Sequence, residues 1–205
     1  KFDIKKMCAS GCLFDRAKIE DVSKNVVSRM SADEVYAQLA GWAKVYDPEF
    51  FALLDRDPDY ARSILAIGRG GKKPRKDYGL WSEVKAFIGF FYDELFTRED
   101  EIPQSFDRGD VKAALAAFAD TLDYADDSNA WFEKIKKIAS DLGYATDMRQ
   151  YKADPAAFRG SVADVSMFIR VAVTGRMNSP DLYTVIHIIG MERTVQRVRE
   201  LAASL

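Results

Sequence analysis

Helix-start signals recur along this chain at intervals that leave little room for β-strands. Ser31 is followed three residues later by Glu34, which is the pattern of a capping box. Asp47-Pro48 and Asp57-Pro58 each place a capping side chain before a proline at the first helical position. The stretch after Ser31 carries apolar residues at three- and four-residue spacing: Val35, Leu39, Trp42 and Tyr46. The sequence therefore predicts an all-α protein.

Similar patterns predict helices through the rest of the chain. Asp15 can cap a helix whose apolar positions are Ile19, Val22, Val26 and Met30. Four further periodic stretches cover 81–95, 111–122, 131–142 and 195–205. Helices are also expected to start at 154–155 and at 179–180, where Asp or Ser precedes proline, and the helix after Asp57 is expected to end at Gly68. The run 171–173 suits a strand but is too short and isolated to build a sheet.

An acidic stretch divides the predicted helices into two groups. Residues 98–109 are mostly polar and include Pro103. We expect two consecutive helical bundles, over residues 1–104 and 105–205.

Composition limits the class of protein. The chain has 205 residues, a formal net charge of −2 and 48% hydrophobic residues. No apolar run approaches the roughly 20 residues that cross a bilayer, and we expect no membrane association. Cys8 and Cys12 are too few for a disulfide scaffold, so a cytoplasmic location is expected. Because Lys1 rather than Met opens the sequence, we expect a piece of a longer protein.

Residues for catalysis or metal binding are scarce. The only histidine, His187, lies inside a predicted helix between two isoleucines, which favours a structural role. Four-coordinate zinc needs four ligands, and the two cysteines have no histidine near them in sequence. We therefore predict no catalytic residue, no metal site and no bound cofactor in this chain.

One loop concentrates positive charge. Six basic residues and no acidic residue occur between positions 62 and 76, around three glycines and Pro74. Lys73 stands where a phosphate-binding Walker loop has Ser or Thr, so that motif is excluded. The loop could be solvated surface, or it could contact an anionic partner through its cations and close backbone.

Two segments resemble one known family. Residues 168–183 include Arg170, Thr174-Gly175 and Ser179-Pro180, and Ile189-Gly190 follows. This spacing is similar to the C-terminal signature of bacterial glutamyl-tRNA synthetases. Residues 10–15, with Lys18, resemble the stretch that follows the KMSKS loop of the same family. His187-Ile188-Ile189-Gly190 also looks like the HIGH signature of these enzymes, but it has no preceding sheet and is rejected as an active-site element.

The resemblance implies a role in tRNA recognition. Residues up to about 104 would form the stem-contact and first anticodon-binding domain, and the rest would form the second. Together they would hold the unstacked anticodon bases of tRNA-Glu. Arg75 corresponds to the residue that some members use for the first base. The positions expected around the second and third bases are Arg170, Ser179, Pro180 and Leu182.

Further expectations follow from the same resemblance and from charge. Phosphate contacts are predicted for Arg69, Lys72, Lys73, Lys76 and Arg176. ATP and Mg²⁺ would belong to a catalytic domain outside this chain, which by itself should be inactive as a ligase. We expect a monomer that binds tRNA and no DNA. The alternative is a helical protein-interaction adaptor without an RNA role, for which the basic loop would be dispensable.

Overall fold

A computed structural model describes residues 15–205, and that part of the chain is helical. Its eleven α-helices are α1 (Arg16–Arg29), α2 (Ala32–Tyr46), α3 (Pro48–Arg56), α4 (Pro58–Leu65), α5 (Trp81–Ile88), α6 (Arg108–Thr121), α7 (Ser128–Asp141), α8 (Met148–Ala153), α9 (Val162–Thr174), α10 (Leu182–Ile189) and α11 (Met191–Ser204). The β-type pairing within those residues is an isolated parallel bridge between Ala145 and Ser161. The all-α prediction is confirmed. None of the helices described has the length and apolar character needed to cross a bilayer.

The first four helices begin where the capping patterns predict. Asp15, Asp47 and Asp57 each accept a hydrogen bond from the backbone N–H three residues later, at 3.1, 3.1 and 2.9 Å. Ser31 and Glu34 form the reciprocal bonds of a capping box. These bonds satisfy N–H groups that the first helical turn leaves without a partner.

The predicted apolar face of α1 is not part of the core. Ile19, Val22 and Val26 are all more than half exposed. Val27, one position further round the helix, is buried instead. Periodicity therefore locates this helix correctly but selects the wrong face.

The helix predicted to run from Trp81 to Leu95 ends early. α5 stops at Ile88, and residues 89–91 form a single 3-10 turn. The carbonyl of Phe90 accepts from Arg197 Nη1 at 2.8 Å, and that of Phe91 accepts from Arg193 Nη1 at 3.2 Å. Because distant arginines satisfy these carbonyls, a further helical turn is not needed there.

Two other predicted helix limits are corrected. The helix after Asp57 ends at Leu65 rather than at Gly68. Asp154-Pro155 starts only a 3-10 turn, and the short α8 precedes it. The backbone beyond that turn pairs with the segment after α7, since Ala145 N–H bonds Gly160 O at 2.9 Å. This pairing keeps the chain extended until α9 begins.

The helices pack in two groups that share one apolar core. α2 packs on α3, α4 and α5, whereas α6, α9 and α11 pack on one another, with α7 and α10 beside them. α10 also contacts α4, which joins the groups. Buried side chains of both groups belong to a single cluster that includes Phe50 and Phe168. The domain boundary at residue 104 stays a prediction.

Arg197 fastens the second group to the end of α5. Its side chain is almost fully buried. Besides Phe90 O, its Nη1 donates to Val173 O at 3.0 Å, and its Nη2 pairs with Asp93 at 2.7 Å. The guanidinium carbon also lies 3.8 Å from the centre of the Phe96 ring. A buried cation with all these partners is satisfied within the fold.

Candidate nucleic-acid interface

A groove of about 620 Å³ lies where the end of α4 meets α7, α9 and the segment before α10. All five residues predicted to surround the anticodon bases line it: Arg75, Arg170, Ser179, Pro180 and Leu182. Its other walls come from the chain after α4 and from the first turn of α7. Residues far apart in sequence therefore converge on one concave surface, although their binding roles stay predictions.

The loop after α4 holds Arg75 in a fixed position. Gly68 has a φ of +72°, and a Cβ atom there would lie 2.6 Å from Arg75 Cδ. The backbone N–H of Arg75 bonds Gly68 O at 3.1 Å. Asp77 accepts from Arg75 Nη2 at 2.7 Å and from Nε at 3.0 Å. This bond to Asp77 raises the pKa of the Arg75 guanidinium, which remains charged.

Arg170 enters the groove from α9, and its hydrogen-bond partners are uncharged groups. Its Nη1 donates to Ser179 Oγ at 2.6 Å and to Pro180 O at 3.2 Å. Within residues 15–205, Arg170 makes no ion pair with a carboxylate. Burial lowers the pKa of its guanidinium; Asp181 opposes this effect and the positive charge of Arg75 adds to it. Arg170 is therefore a half-buried cation whose Nε and Nη2 groups are available to a ligand.

The groove is rich in hydrogen-bond donors rather than in net charge. Arg75 and Arg170 are accompanied by Asp77 and Asp181, so the formal charges of these four side chains cancel. Fixed guanidinium N–H groups beside apolar surface suit the acceptor atoms of a base edge. The positive charge that the sequence concentrates in the 62–76 loop is therefore not concentrated in this groove.

The sequence predicts a helix start at Ser179 and Pro180, but the structure has no helix start there. α10 begins at Leu182, because Asp181 accepts from Thr184 N–H at 2.9 Å and caps it. The Ser179 hydroxyl is occupied elsewhere, since it accepts from Arg170 and donates to Pro180 O at 2.9 Å. Ser179 thus positions the guanidinium of Arg170 instead of capping a helix.

A second concave surface, of about 580 Å³, lies beside the basic loop. We call it the loop concavity, and its lining includes four cations: Arg29, Lys72, Lys73 and Lys76. Among residues 15–205, no acidic side chain lines it, although Lys76 Nζ lies 3.6 Å from Asp21. Positive charge therefore accumulates here and not in the groove.

Two of the predicted phosphate-binding arginines are directed into the protein. Arg69 donates to Leu65 O at 2.7 Å and to the Tyr78 hydroxyl at 2.6 Å, and it also reaches the end of α1. Arg176 donates to Ala86 O at 2.7 Å and pairs with Glu99. These contacts fasten loops to helices, and the phosphate role of all five basic residues stays a prediction.

Sequence reasoning missed the aromatic wall of the groove. Trp131 and Phe132, in the first turn of α7, both line it. In the sequence, Trp131 only begins the periodic apolar stretch 131–142 that predicts this helix. Phe132 falls outside the stripe, and a large aromatic residue at such a position is the signal that could have drawn attention to it.

The remaining chemical candidates are His187, the metal-ligating side chains and the two cysteines. His187 is in α10, where its Nδ1 lies 2.9 Å from Tyr183 O and its ring packs against Tyr124. Its predicted structural role is confirmed. Among residues 15–205, no cluster of three potential metal-ligating side chains occurs. Cys8 and Cys12, and the motif at 10–14, are outside that range.

Comparison with known proteins identifies the type of domain and the relatives of this chain. A family model described as an anticodon binding domain matches residues 157–202. A glutamate–tRNA ligase from Sorangium cellulosum is 46% identical over 95% of this chain and 34% of its own length. A second, from Acetivibrio thermocellus, is 42% identical over 98% of the chain and 37% of its own length.

The chain belongs to the glutamate–tRNA ligase family. The resemblance to glutamyl-tRNA synthetases, the other name for these ligases, is thereby confirmed. The chain spans about a third of the length of the curated relatives it matches. A solved glutamate tRNA ligase from Elizabethkingia meningosepticum, crystallised with its amino acid, superposes on the whole chain with a TM-score of 0.59 at 18% identity. That likeness supports the fold.

Proposed function

We propose that this chain recognises the anticodon loop of tRNA-Glu as the RNA-binding part of a glutamate–tRNA ligase. In the proposed complex, unpaired anticodon bases enter the groove between α4, α7 and α9. Arg75 and Arg170 donate to their edges, and Ser179 and Pro180 hold Arg170 in place. Leu182, which is almost fully buried, supports the groove floor. The cations of the loop concavity contact phosphates.

The observation that carries this proposal is that Arg170, within residues 15–205, has no carboxylate partner. The Arg170 guanidinium is partly buried, and its hydrogen bonds to Ser179 and Pro180 all come from Nη1, which leaves Nε and Nη2 for the acceptors of a ligand. Nucleobase edges present such acceptors when the bases are unstacked, and RNA sequence is usually read in single-stranded loops. The printed names of the relatives point to the same ligand class.

The activity of the whole protein is part of the same proposal. A ligase containing this chain would attach glutamate to tRNA with ATP and Mg²⁺ at a catalytic domain elsewhere in the protein. We expect a cytoplasmic monomer with no DNA-binding role and, for this chain alone, no activation of glutamate. The relatives favour RNA recognition over the adaptor alternative.

Binding of anticodon stem-loops tests the proposal. Fluorescence anisotropy with a labelled tRNA-Glu stem-loop should show salt-sensitive binding that is lost when the three anticodon bases are replaced. Arg75→Ala should weaken binding by about 1–3 kcal/mol, mainly through the first base, because it removes a fixed base-edge donor. Arg199→Ala is the matched control, since this exposed arginine lies on α11 away from the groove. Equal affinity for the two stem-loops would defeat the proposed function.

A further inference from the structure

Phe132 is an exposed aromatic residue beside the buried stripe of α7. Its neighbours along α7, Trp131, Ile135 and Ile138, are less than a tenth exposed, whereas Phe132 is 37% exposed. An apolar ring left in water loses the stabilisation that burial would give it. The ring lies at the groove, where a ligand can cover it.

The surroundings hold this ring on a rigid support. α7 packs against α6 and α9. Trp131 fixes the first turn by an edge contact with Tyr183, at 5.7 Å between ring centres. Lys136 lies one turn along from Phe132, with its Nζ 5.2 Å from the ring centre and 2.6 Å from Glu133. The lysine ammonium therefore lies over the Phe132 ring.

The groove combines guanidinium donors with an aromatic ring, and few classes of ligand match both. An inorganic phosphate would use the guanidinium groups of Arg75 and Arg170 but not the ring. An apolar peptide would use the ring but leave both arginines without acceptors. An unpaired nucleobase matches both surfaces, because it has a flat π-face for stacking and acceptor atoms along its edge.

We propose that Phe132 is a stacking platform for one unpaired base held in the groove, with Arg75 and Arg170 at that base's edge or at the edge of its neighbour. This inference rests on the proposed function and deepens it, since it assigns a base-binding role to α7. The contact is insensitive to base identity, because every base has a π-face. Phe132 therefore contributes affinity, and the arginines contribute discrimination.

Three abasic stem-loops, each lacking one of the three anticodon bases, distinguish the loss of stacking from a general loss of binding. Phe132→Ala should weaken binding of the intact tRNA-Glu stem-loop roughly fivefold to 150-fold, the range for loss of one base–aromatic stack. The same substitution should change nothing for the stem-loop that lacks the base at the stacked position, and Phe132→Tyr and Phe132→Trp should retain affinity. Tyr46→Ala is the matched control, because Tyr46 is an exposed aromatic residue on α2. Thermal melting of each variant, followed by circular dichroism, confirms that the fold is retained.

Each outcome has a distinct meaning. Wild-type affinity of Phe132→Ala for the intact stem-loop overturns the stacking inference while leaving anticodon recognition in place. An equal loss on all three abasic stem-loops also overturns it, because no single base then depends on the ring. If the unaltered chain fails to distinguish the tRNA-Glu loop from a scrambled loop, the proposed function fails and the inference fails with it.

Discussion

The groove and the loop concavity are similar in size, but the groove is close to neutral and the loop concavity is positively charged. Their volumes are about 620 and 580 Å³. In the groove, two arginines are fixed by neighbouring side chains or backbone, and nearby carboxylates cancel their charge. In the loop concavity, four cations line the surface without an acidic residue among them. The first surface offers directed donors, and the second offers an excess of positive charge.

This difference suggests a division of labour in RNA binding. Contacts to phosphates supply affinity that depends on salt and ignores sequence. Contacts to base edges need donors at fixed positions, which the anchoring of Arg75 by Asp77 and Gly68 provides. The groove should therefore govern discrimination between anticodons, whereas the loop concavity should govern the response to salt.

Among the variants that test this division, the largest effect is expected from Arg170. Arg170→Ala should reduce affinity for the tRNA-Glu stem-loop by about 2 kcal/mol, roughly 30-fold, because base-edge donors are lost. Binding of a scrambled loop should be almost unchanged, so the specificity ratio should fall. Arg170→Lys should not restore it, since an ammonium group lacks the planar donor geometry. If affinity for both loops falls by the same factor, Arg170 contributes to general electrostatic binding and not to discrimination between anticodons.

A smaller effect is expected from displacing Arg75 through Gly68. In Gly68→Ala the new Cβ would meet Arg75 Cδ, at 2.6 Å, so the side chain must move from its place beside Asp77. We expect about 1 kcal/mol of lost affinity, confined to the tRNA-Glu loop and measured by anisotropy.

Gly70→Ala separates this clash from backbone strain. Gly70 has a nearly identical φ of +74° but nothing within 4 Å of its Cβ position. It should share any loss in stability caused by positive φ, and it should retain discrimination. If both variants lose discrimination equally, the position of Arg75 is not the cause.

The smallest effect per residue is expected in the loop concavity. Replacing both Lys72 and Lys73 by Ala should weaken binding of the tRNA-Glu and scrambled loops by the same factor. The slope of log K against log salt should become shallower by about 0.7 for each lost phosphate contact with single-stranded RNA. An unchanged slope would remove these lysines from the interface.

Local signals predicted much of this fold because they act within one helical turn. The caps at Ser31, Asp47 and Asp57 and the stop before Gly143 depend on neighbours only a few residues away. Such features are readable from one sequence. The family resemblance located the five groove residues in the same way, through fixed spacing.

What the sequence did not reveal depends on contacts between distant residues. The end of α5 is set by guanidinium groups of α11, and the Ser179 hydroxyl does not cap a helix because it is bonded to Arg170. Arg69 looked like part of a solvated basic loop, yet it binds carbonyls of the helical core. A basic residue's partners decide whether it stabilises the fold or faces a ligand, and sequence alone does not show them.

Site-specific photocrosslinking tests the central claim most directly. A photoreactive base is placed in turn at each anticodon position of the tRNA-Glu stem-loop, and the crosslinked peptides are identified by mass spectrometry. The proposed complex predicts adducts on the groove walls: the Arg75 loop, the first turn of α7 and the segment from Arg170 to Leu182. Adducts confined to α1 or α11, at the same yield from a scrambled anticodon, would contradict it.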